Sequence, residues 1–431
     1  MPRRRVLVTG MGVIAPGATG VPAFRELLRA GRTAFRPITR FDPTGLRSTL
    51  AAEVDFDPAA HGLTPQDTHR LDRAGRYGVA AAREALADSR LHTTPVPDRP
   101  DRIGVSVGTA AATLEALEDV YRTMTADGRR PTPDPALAPP HLHTRLAAES
   151  LAAEIAWAAD AEGPVTVLPS GCTAGLDALG HAADLIRADD ADIVLAGAAE
   201  APLTRSLLAA LDALRLTGTH NDDPTHAHRP FDATRTGLVL GEGAAVFVLE
   251  ERERALRRGA PRHAELVGHA GRTGAAHMTA LPADGRDLAA ALTEALADAA
   301  LPPEAVDHIA AHGAGTPLAD RHEAAAIRRA LGPHARTTPV SAISSMVGHG
   351  LGALGALQTV AAVLALTHDL VPPTATLRTP DPDCELDHTP RTARPHPITT
   401  AVALASGFGG FQSALVLRKP ESPRPDRSST A

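Results

Sequence analysis

Short runs rich in β-branched residues alternate along the chain with long stretches of Ala and Leu at helical spacing. In the first half the runs fall at Val6 to Val8, Ile103 to Val107, Val165 to Leu168, Ile193 to Leu195 and Val246 to Leu249. In the second they fall at Glu265 to Val267, Ile309 to Ala311, Pro339 to Ala342, Ala401 to Ala405 and Ser413 to Leu417. Runs of this kind interleaved with helices predict an α/β fold around a largely buried sheet. The theme repeats, which predicts two similar halves with a boundary near Arg252 to Arg262.

In each half one strand runs through a turn of small residues into a long helix: VTVLPSGCTAGLDALGHAADLIRA from Val165 and PVSAISSMVGHGLGALGALQTVAAVLAL from Pro339. The matching turns carry Cys172 and His349. Cys172 precedes a helix with Leu176, Leu179 and Leu185 on one side. Its sulfur is therefore expected near free N–H groups and a dipole that favour thiolate over thiol. A lone cysteine is as readily a small buried hydrophobe, and spacing alone leaves the two readings level. His312, in IAAHGAGTP, stands where a strand enters a glycine-rich loop, and the glycines would let a substrate approach the backbone. Most of the 20 histidines must be ordinary surface or core residues. What singles out His312 and His349 is their pairing with Cys172 in a repeated architecture.

Other signals are weaker. SGFGGFQ, with Gly407, Gly409 and Gly410, reads as a flexible turn carrying Phe408 and Phe411: either a tight turn with packed rings or a gate with a backbone oxyanion donor. VLVTGMGVIAPG mimics a nucleotide-binding turn, but Ala15 breaks the glycine pattern. A short-chain reductase would also need Lys four residues after Tyr, whereas Tyr77 and Tyr121 are followed there by Ala81 and Thr125. The HLH at His141 to His143 and the HAH at His226 to His228 lack a further ligand at metal-binding spacing and read as solvated loops. Gly128 to Pro140 is too proline-rich for a helix and reads as a surface excursion.

Composition narrows the class. The 431 residues, 43% hydrophobic, suffice for a large core. A net charge of -7 and no basic cluster point away from nucleic acid and anionic membrane. Two cysteines, Cys172 and Cys384, offer neither a disulfide framework nor a zinc motif, and no apolar stretch is long enough to span a bilayer. A cytoplasmic protein is expected. Lys419 is the sole lysine, with arginine supplying the remaining positive charge.

The segments GCTAGLDALGHA, NDDPTHAHRPFDATRTGLVLGEGAAVFVLEE, HMTALPADGRDL, AHGAGT, SMVGHGLGALG and SGFGGFQSALVL together resemble β-ketoacyl synthases of the thiolase superfamily. The likeness is to type II polyketide ketosynthases of the α-subunit kind and runs from about Arg5 to Arg418. It implies a thiolase fold, two βαβαβαββ halves packed as a five-layer α-β-α-β-α sandwich. The N-terminal half, 1–252, would carry the nucleophile, the C-terminal half, 253–418, both histidines, and 419–431 would be a disordered tail.

The resemblance further implies that Cys172 accepts an acyl group, while His312 and His349 bind the carbonyl of a malonyl thioester as its carboxylate leaves. Backbone N–H groups of Cys172 and Phe408 would form the oxyanion hole, with Phe408, between Gly407 and Gly409, gating the pocket. Thr316 would contact the phosphopantetheine arm of an acyl carrier protein, and Ala314 stands where Ser or Thr is common. The implied partners are that carrier protein and a chain-length-factor-like subunit or a second copy of the chain, with no bound cofactor and no metal. Chain-length factors lack the nucleophile, so Cys172 marks the catalytic partner.

Two departures stand out: Ser344 replaces a family lysine and Gln358 a family glutamate, leaving Glu323 as the remaining carboxylate. An arginine-rich composition would have turned Lys into Arg, so the change is specific to the site. Losing a cation and an anion together leaves the charge sum unaltered, as expected of a tolerated paired replacement. Two rivals remain at this stage: an acyltransferase without decarboxylation, favoured by Ser344 and Gln358, and a non-catalytic subunit that only shapes a pocket.

Overall fold

The computed structural model describes residues 3–91, 99–111 and 113–421. In the first half the frame strands are β1 (Val6–Ala15), β2 (Ile103–Gly108), β3 (Val165–Leu168), β4 (Ile193–Glu200) and β5 (Gly243–Glu251). In the second they are β6 (Ala264–Thr273), β7 (His308–Ala310), β8 (Pro339–Ser341), β9 (Thr400–Ser406) and β10 (Phe411–Arg418). The spatial order is β3-β2-β4-β5-β1 in the first half and β8-β7-β9-β10-β6 in the second. Counted within its own half, each order is third, second, fourth, fifth, first. Pairing directions match as well: the second strand is parallel to the third and fourth, and the fifth is antiparallel to the fourth and first. The two first strands pair antiparallel with each other, Val6 opposite Leu266 and Val8 opposite Ala264, which joins the halves through a continuous ladder.

Helices complete the layers. α1 (Arg73–Ser89) and α2 (Glu149–Ala158) cover the outer face of the first half. α4 (Arg286–Asp298) and α5 (Pro317–Leu331) cover the second. Between the halves lie α3 (Ala174–Arg187) and α6 (Gly352–His368). Every residue of α6 from Gly352 to Leu366 is buried, which is why its sequence is apolar all round rather than striped. The result is the α-β-α-β-α thiolase sandwich.

The strand placements expected from the apolar runs all overlap observed strands, with Ala311 and Ala342 one residue beyond β7 and β8, but β1 continues to Ala15 through glycines that look like turn formers. A Cβ on Gly10 would lie 2.2 Å from the Ala85 carbonyl oxygen, and one on Gly12 would lie 2.0 Å from that of Ala81. The glycines let α1 rest on the strand backbone. Gly268 of β6 does the same for α4, with Ala295 oxygen 2.2 Å away. The region around Arg252 to Arg262 holds the helix Arg252–Arg257 and a turn that links β5 to β6. The Gly128 to Pro140 segment is almost wholly exposed. The tail assigned from Lys419 lies outside the described residues beyond 421, and Lys419 itself ion-pairs with Asp369 at 3.0 Å.

The histidine pair read as a solvated loop is a correction. His226 is 4% exposed and His228 fully buried, because the segment passes beneath the loop after His312. Turn-like spacing carries no information about which loops are roofed by others. His141 and His143 are half-buried and exposed, respectively.

α3 and α6 cross through glycines. A Cβ on Gly175 would sit 2.7 Å from the Ala356 nitrogen and 2.8 Å from the Gly352 oxygen, and one on Gly355 3.0 Å from Leu176 Cγ. Gly175→Ala is therefore expected to destabilise the protein by about 1–3 kcal/mol through overpacking against backbone, lowering the melting temperature. An unchanged melting temperature would show that the helices have room to part.

Candidate active site

The turns that precede α3 and α6 meet at a cavity of about 460 Å³. Cys172, His312, His349 and Phe408 line it, with Leu207, Leu211, Leu238 and Leu351 among its apolar walls. The residues singled out from the two halves thus reach one space. Cys172 stands in a tight turn, Gly171–Thr173, at the head of α3. Ser170 and Thr173 on either side donate to the same Asp177 oxygen, at 2.5 and 2.7 Å, so one carboxylate of α3 braces the nucleophile turn.

The thiolate expected from the helix terminus is not what the surroundings favour. Burial, and then the carboxylate of Glu200, push the Cys172 thiol up to about 12, only partly offset by its own backbone N–H. Cys172 rests as a thiol.

The two imidazoles line the same cavity as Cys172. His312 and His349 stand nearly perpendicular, at 89°, with Nε2 atoms 3.2 Å apart. His349 Nδ1 accepts from Leu351 N–H at 3.2 Å, so the His349 proton sits on Nε2 and points at His312. The bare Nε2 of His312 receives it, which leaves the His312 proton on Nδ1, buried without a hydrogen-bond partner. Burial holds both rings neutral: His349 is pushed down to about 4 and His312 well below the ordinary histidine value.

The loop after His312 is clamped from several sides. Glu323 accepts His312 N–H at 2.6 Å and Gly313 N–H at 2.9 Å. Ser344 Oγ donates to the Gly313 oxygen at 2.7 Å, and Gln358 Nε2 donates to the Ala311 oxygen. Ser344 and Gln358 thus hold neighbouring carbonyls of one loop. Thr316 caps α5 by accepting Ala319 N–H at 3.3 Å, and it lines the cavity with Ala314. A Cβ on Gly407 would lie 3.3 Å from Cys172 nitrogen, so the backbone leading into Phe408 runs beside Cys172. Phe408 is 40% exposed, and Gly409 and Gly410 beyond it take φ of +80° and +78°, which suits glycine alone.

Glu200 escaped the sequence reading. It ends β4 fully buried and accepts from Ala110 N–H, Ala111 N–H, Gly352 N–H and Thr109 Oγ1, tying the start of α6 to the loop after β2. The available signal was an acidic residue closing the otherwise apolar IVLAGAAE. Asp177 lies within the segment GCTAGLD, where nothing in the pattern marks it out. Among the described residues no group of side chains forms a metal site, and no helix is long and apolar enough to cross a membrane.

Comparison with known proteins follows from this geometry. The model for the beta-ketoacyl synthase N-terminal domain matches residues 3–255 and that for the C-terminal domain residues 263–378. A Streptomyces glaucescens chain described as a tetracenomycin polyketide synthase ketoacyl synthase alpha subunit is 49% identical over 421 residues, 98% of each chain. The 3-oxoacyl-[acyl-carrier-protein] synthase 2 of Synechocystis is 38% identical over 418 residues, 97% of this chain and 98% of that one. Among solved structures, a type II acyl carrier protein in complex with its hexaketide-bound ketosynthase superposes with a TM-score of 0.90 at 36% identity, covering 97% of this chain and 100% of that one. The ishigamide ketosynthase/chain length factor follows at 0.87 and 36%, with the same coverage.

The buried carboxyl gives a pH test. Burial raises Glu323 to about 8 from 4.5, so between those values the folded protein keeps a proton that the unfolded chain has released. Its contribution to stability is full below 4.5 and lost as pH rises through about 8. Glu323→Gln has no such titration, so its melting temperature should gain on the wild type between about pH 5 and 8. A constant difference across that window would show that Glu323 ionises normally.

Proposed function

The chain belongs to the β-ketoacyl synthase family, and we propose that it is the catalytic α-type subunit of a polyketide ketosynthase. The observation that carries this reading is the convergence of a thiol and two neutral imidazoles on one largely apolar cavity. The substrates are acyl and malonyl groups carried on the phosphopantetheine arm of an acyl carrier protein.

In the first half-reaction Cys172 sulfur attacks the acyl thioester carbonyl. Its proton passes to the departing carrier thiolate, and the acyl group stays on Cys172. In the second, malonyl carrier protein enters and the bond to its carboxylate breaks. That electron pair becomes a thioenolate, and carbon dioxide leaves. Two donors in a dry site stabilise the enolate oxygen far better than water would. His349 already presents Nε2–H; His312 has to give up its imidazole partner and move its proton from Nδ1 to Nε2 to serve as the second. The enolate carbon then attacks the acyl carbonyl, whose oxyanion is met by Cys172 and Phe408 N–H groups. Collapse expels Cys172 sulfur, which takes up a proton from solvent, and the lengthened β-ketoacyl chain leaves on the carrier.

The paired His312 and His349 favour retained condensation over the acyltransferase alternative, and Ser344 and Gln358 are compatible with it because they hold the His312 loop by its carbonyls without a buried cation. A partner subunit fits the open end of the first half, where the edge strand β3 leaves Val165 47% exposed. That subunit would be a chain-length-factor-like chain or a second copy.

Cys172→Ala should abolish the acyl adduct seen by intact-protein mass spectrometry. His312→Ala or His349→Ala should cut carbon dioxide release from malonyl carrier protein by about 10²- to 10⁴-fold while sparing acylation far more. A histidine variant that loses both half-reactions equally would refute the division of labour. Ser344→Lys alone should impair the protein by burying an extra cation, and Ser344→Lys with Gln358→Glu should recover part of the loss. Additive effects in that double-mutant cycle, read as carbon dioxide release and melting temperature, would show the positions to be uncoupled.

A further inference from the structure

His228 lies outside the chemistry described above, yet it joins the parts that carry it. Its side chain is fully buried, with the Phe35 ring 6.1 Å away between centroids. Nε2 lies 3.3 Å from the Gly313 oxygen, and Nδ1 lies 3.1 Å from the Val239 nitrogen. A carbonyl only accepts and a backbone N–H only donates, so the ring is the neutral Nε2–H tautomer with both nitrogens engaged. Its own carbonyl accepts Thr376 Oγ1 at 2.6 Å, which anchors the backbone.

Each end of this bridge is one step from a site histidine. Gly313 follows His312 directly, and the Val239 carbonyl accepts His349 N–H at 2.8 Å. We propose that His228 is a positioning residue for the condensation: its imidazole ties the loop after His312 to the segment behind His349 and so sets the spacing of the two catalytic rings. The inference rests on the ketosynthase reading. An apolar side chain could fill the same space, but it would leave the Val239 N–H without its acceptor and the Gly313 oxygen with Ser344 alone. Gly315 is shaped to the ring, since a Cβ there would lie 2.6 Å from His228 Cε1. The spacing matters because both Nε2 atoms, 3.2 Å apart at rest, have to reach one substrate oxygen.

Two measurements test this. In wild-type protein with nitrogen-15-labelled imidazoles, His228 should show the Nε2–H tautomer at neutral pH; an Nδ1–H tautomer would leave the Gly313 oxygen without this donor and overturn the bridge. For His228→Leu and His228→Gln, assayed with the partner subunit and compared as folded protein by melting curve, carbon dioxide release and Cys172 acylation are followed separately. Leu should slow carbon dioxide release by about tenfold or more while acylation changes little, and Gln, which keeps a donor for the Gly313 oxygen, should recover most of the loss. Unchanged release in the Leu variant, an equal fall of both half-reactions, or a Gln variant no better than Leu would each overturn the proposal. An inactive wild type that shows the Nε2–H tautomer would instead sink the reading of the reaction and leave the bridge standing.

Discussion

The backbones of α3 and α6 touch at Gly175 and Gly355, with no side chain to act as a spacer. Helices that cross through glycine cannot slide or separate without opening a void in a close-packed interior, so the crossing fixes where their N-terminal ends lie. Cys172 heads one helix and His349 heads the other. The geometry of the cavity is therefore inherited from the deepest layer of the sandwich rather than from its surface loops. Glu200 secures the arrangement by holding the first amide of α6 against the loop after β2.

The same burial decides the charge state of the site. Burial raises Glu323 and Glu200, and it lowers His228, His312 and His349. With Cys172 held as a thiol, the resting cavity carries little charge, which is the cheapest state for groups withdrawn from water. In the proposed mechanism charge appears only when substrate supplies it, first as sulfur attacks and then as carbon dioxide departs. Donors aimed at those positions beforehand need no solvent reorganisation.

The frame was legible because apolar strand runs survive in the sequence whatever packs around them, and the turn-to-helix repeat pointed to Cys172 and His349. The glycines of β1 misled because a close helix approach and a turn ask for the same residue. HAH was misplaced for a different reason: whether a polar segment is roofed depends on a loop 85 residues away, as the His228–Gly313 contact shows. Glu200 was silent because a buried carboxylate satisfied by backbone amides has no partner residue to form a pattern with. The departures at Ser344 and Gln358 were visible, but their hydrogen bonds to separate carbonyls of one loop required coordinates.

The first strand made is among the last that can be placed. β1 pairs with β5 and β6, so its neighbours end at Glu251 and Thr273. At a synthesis rate of about 5 to 20 residues per second, Val6 to Val13 waits on the order of 10 to 50 s for a partner strand, while Ile14 and Ala15 pair locally with Thr19 and Ala18. During that time an apolar ribbon with unpaired edges leaves the ribosome ahead of everything that will cover it. Sheltering that ribbon, by a lower growth temperature or a supply of holdase chaperone, is therefore expected to raise soluble yield in a foreign host.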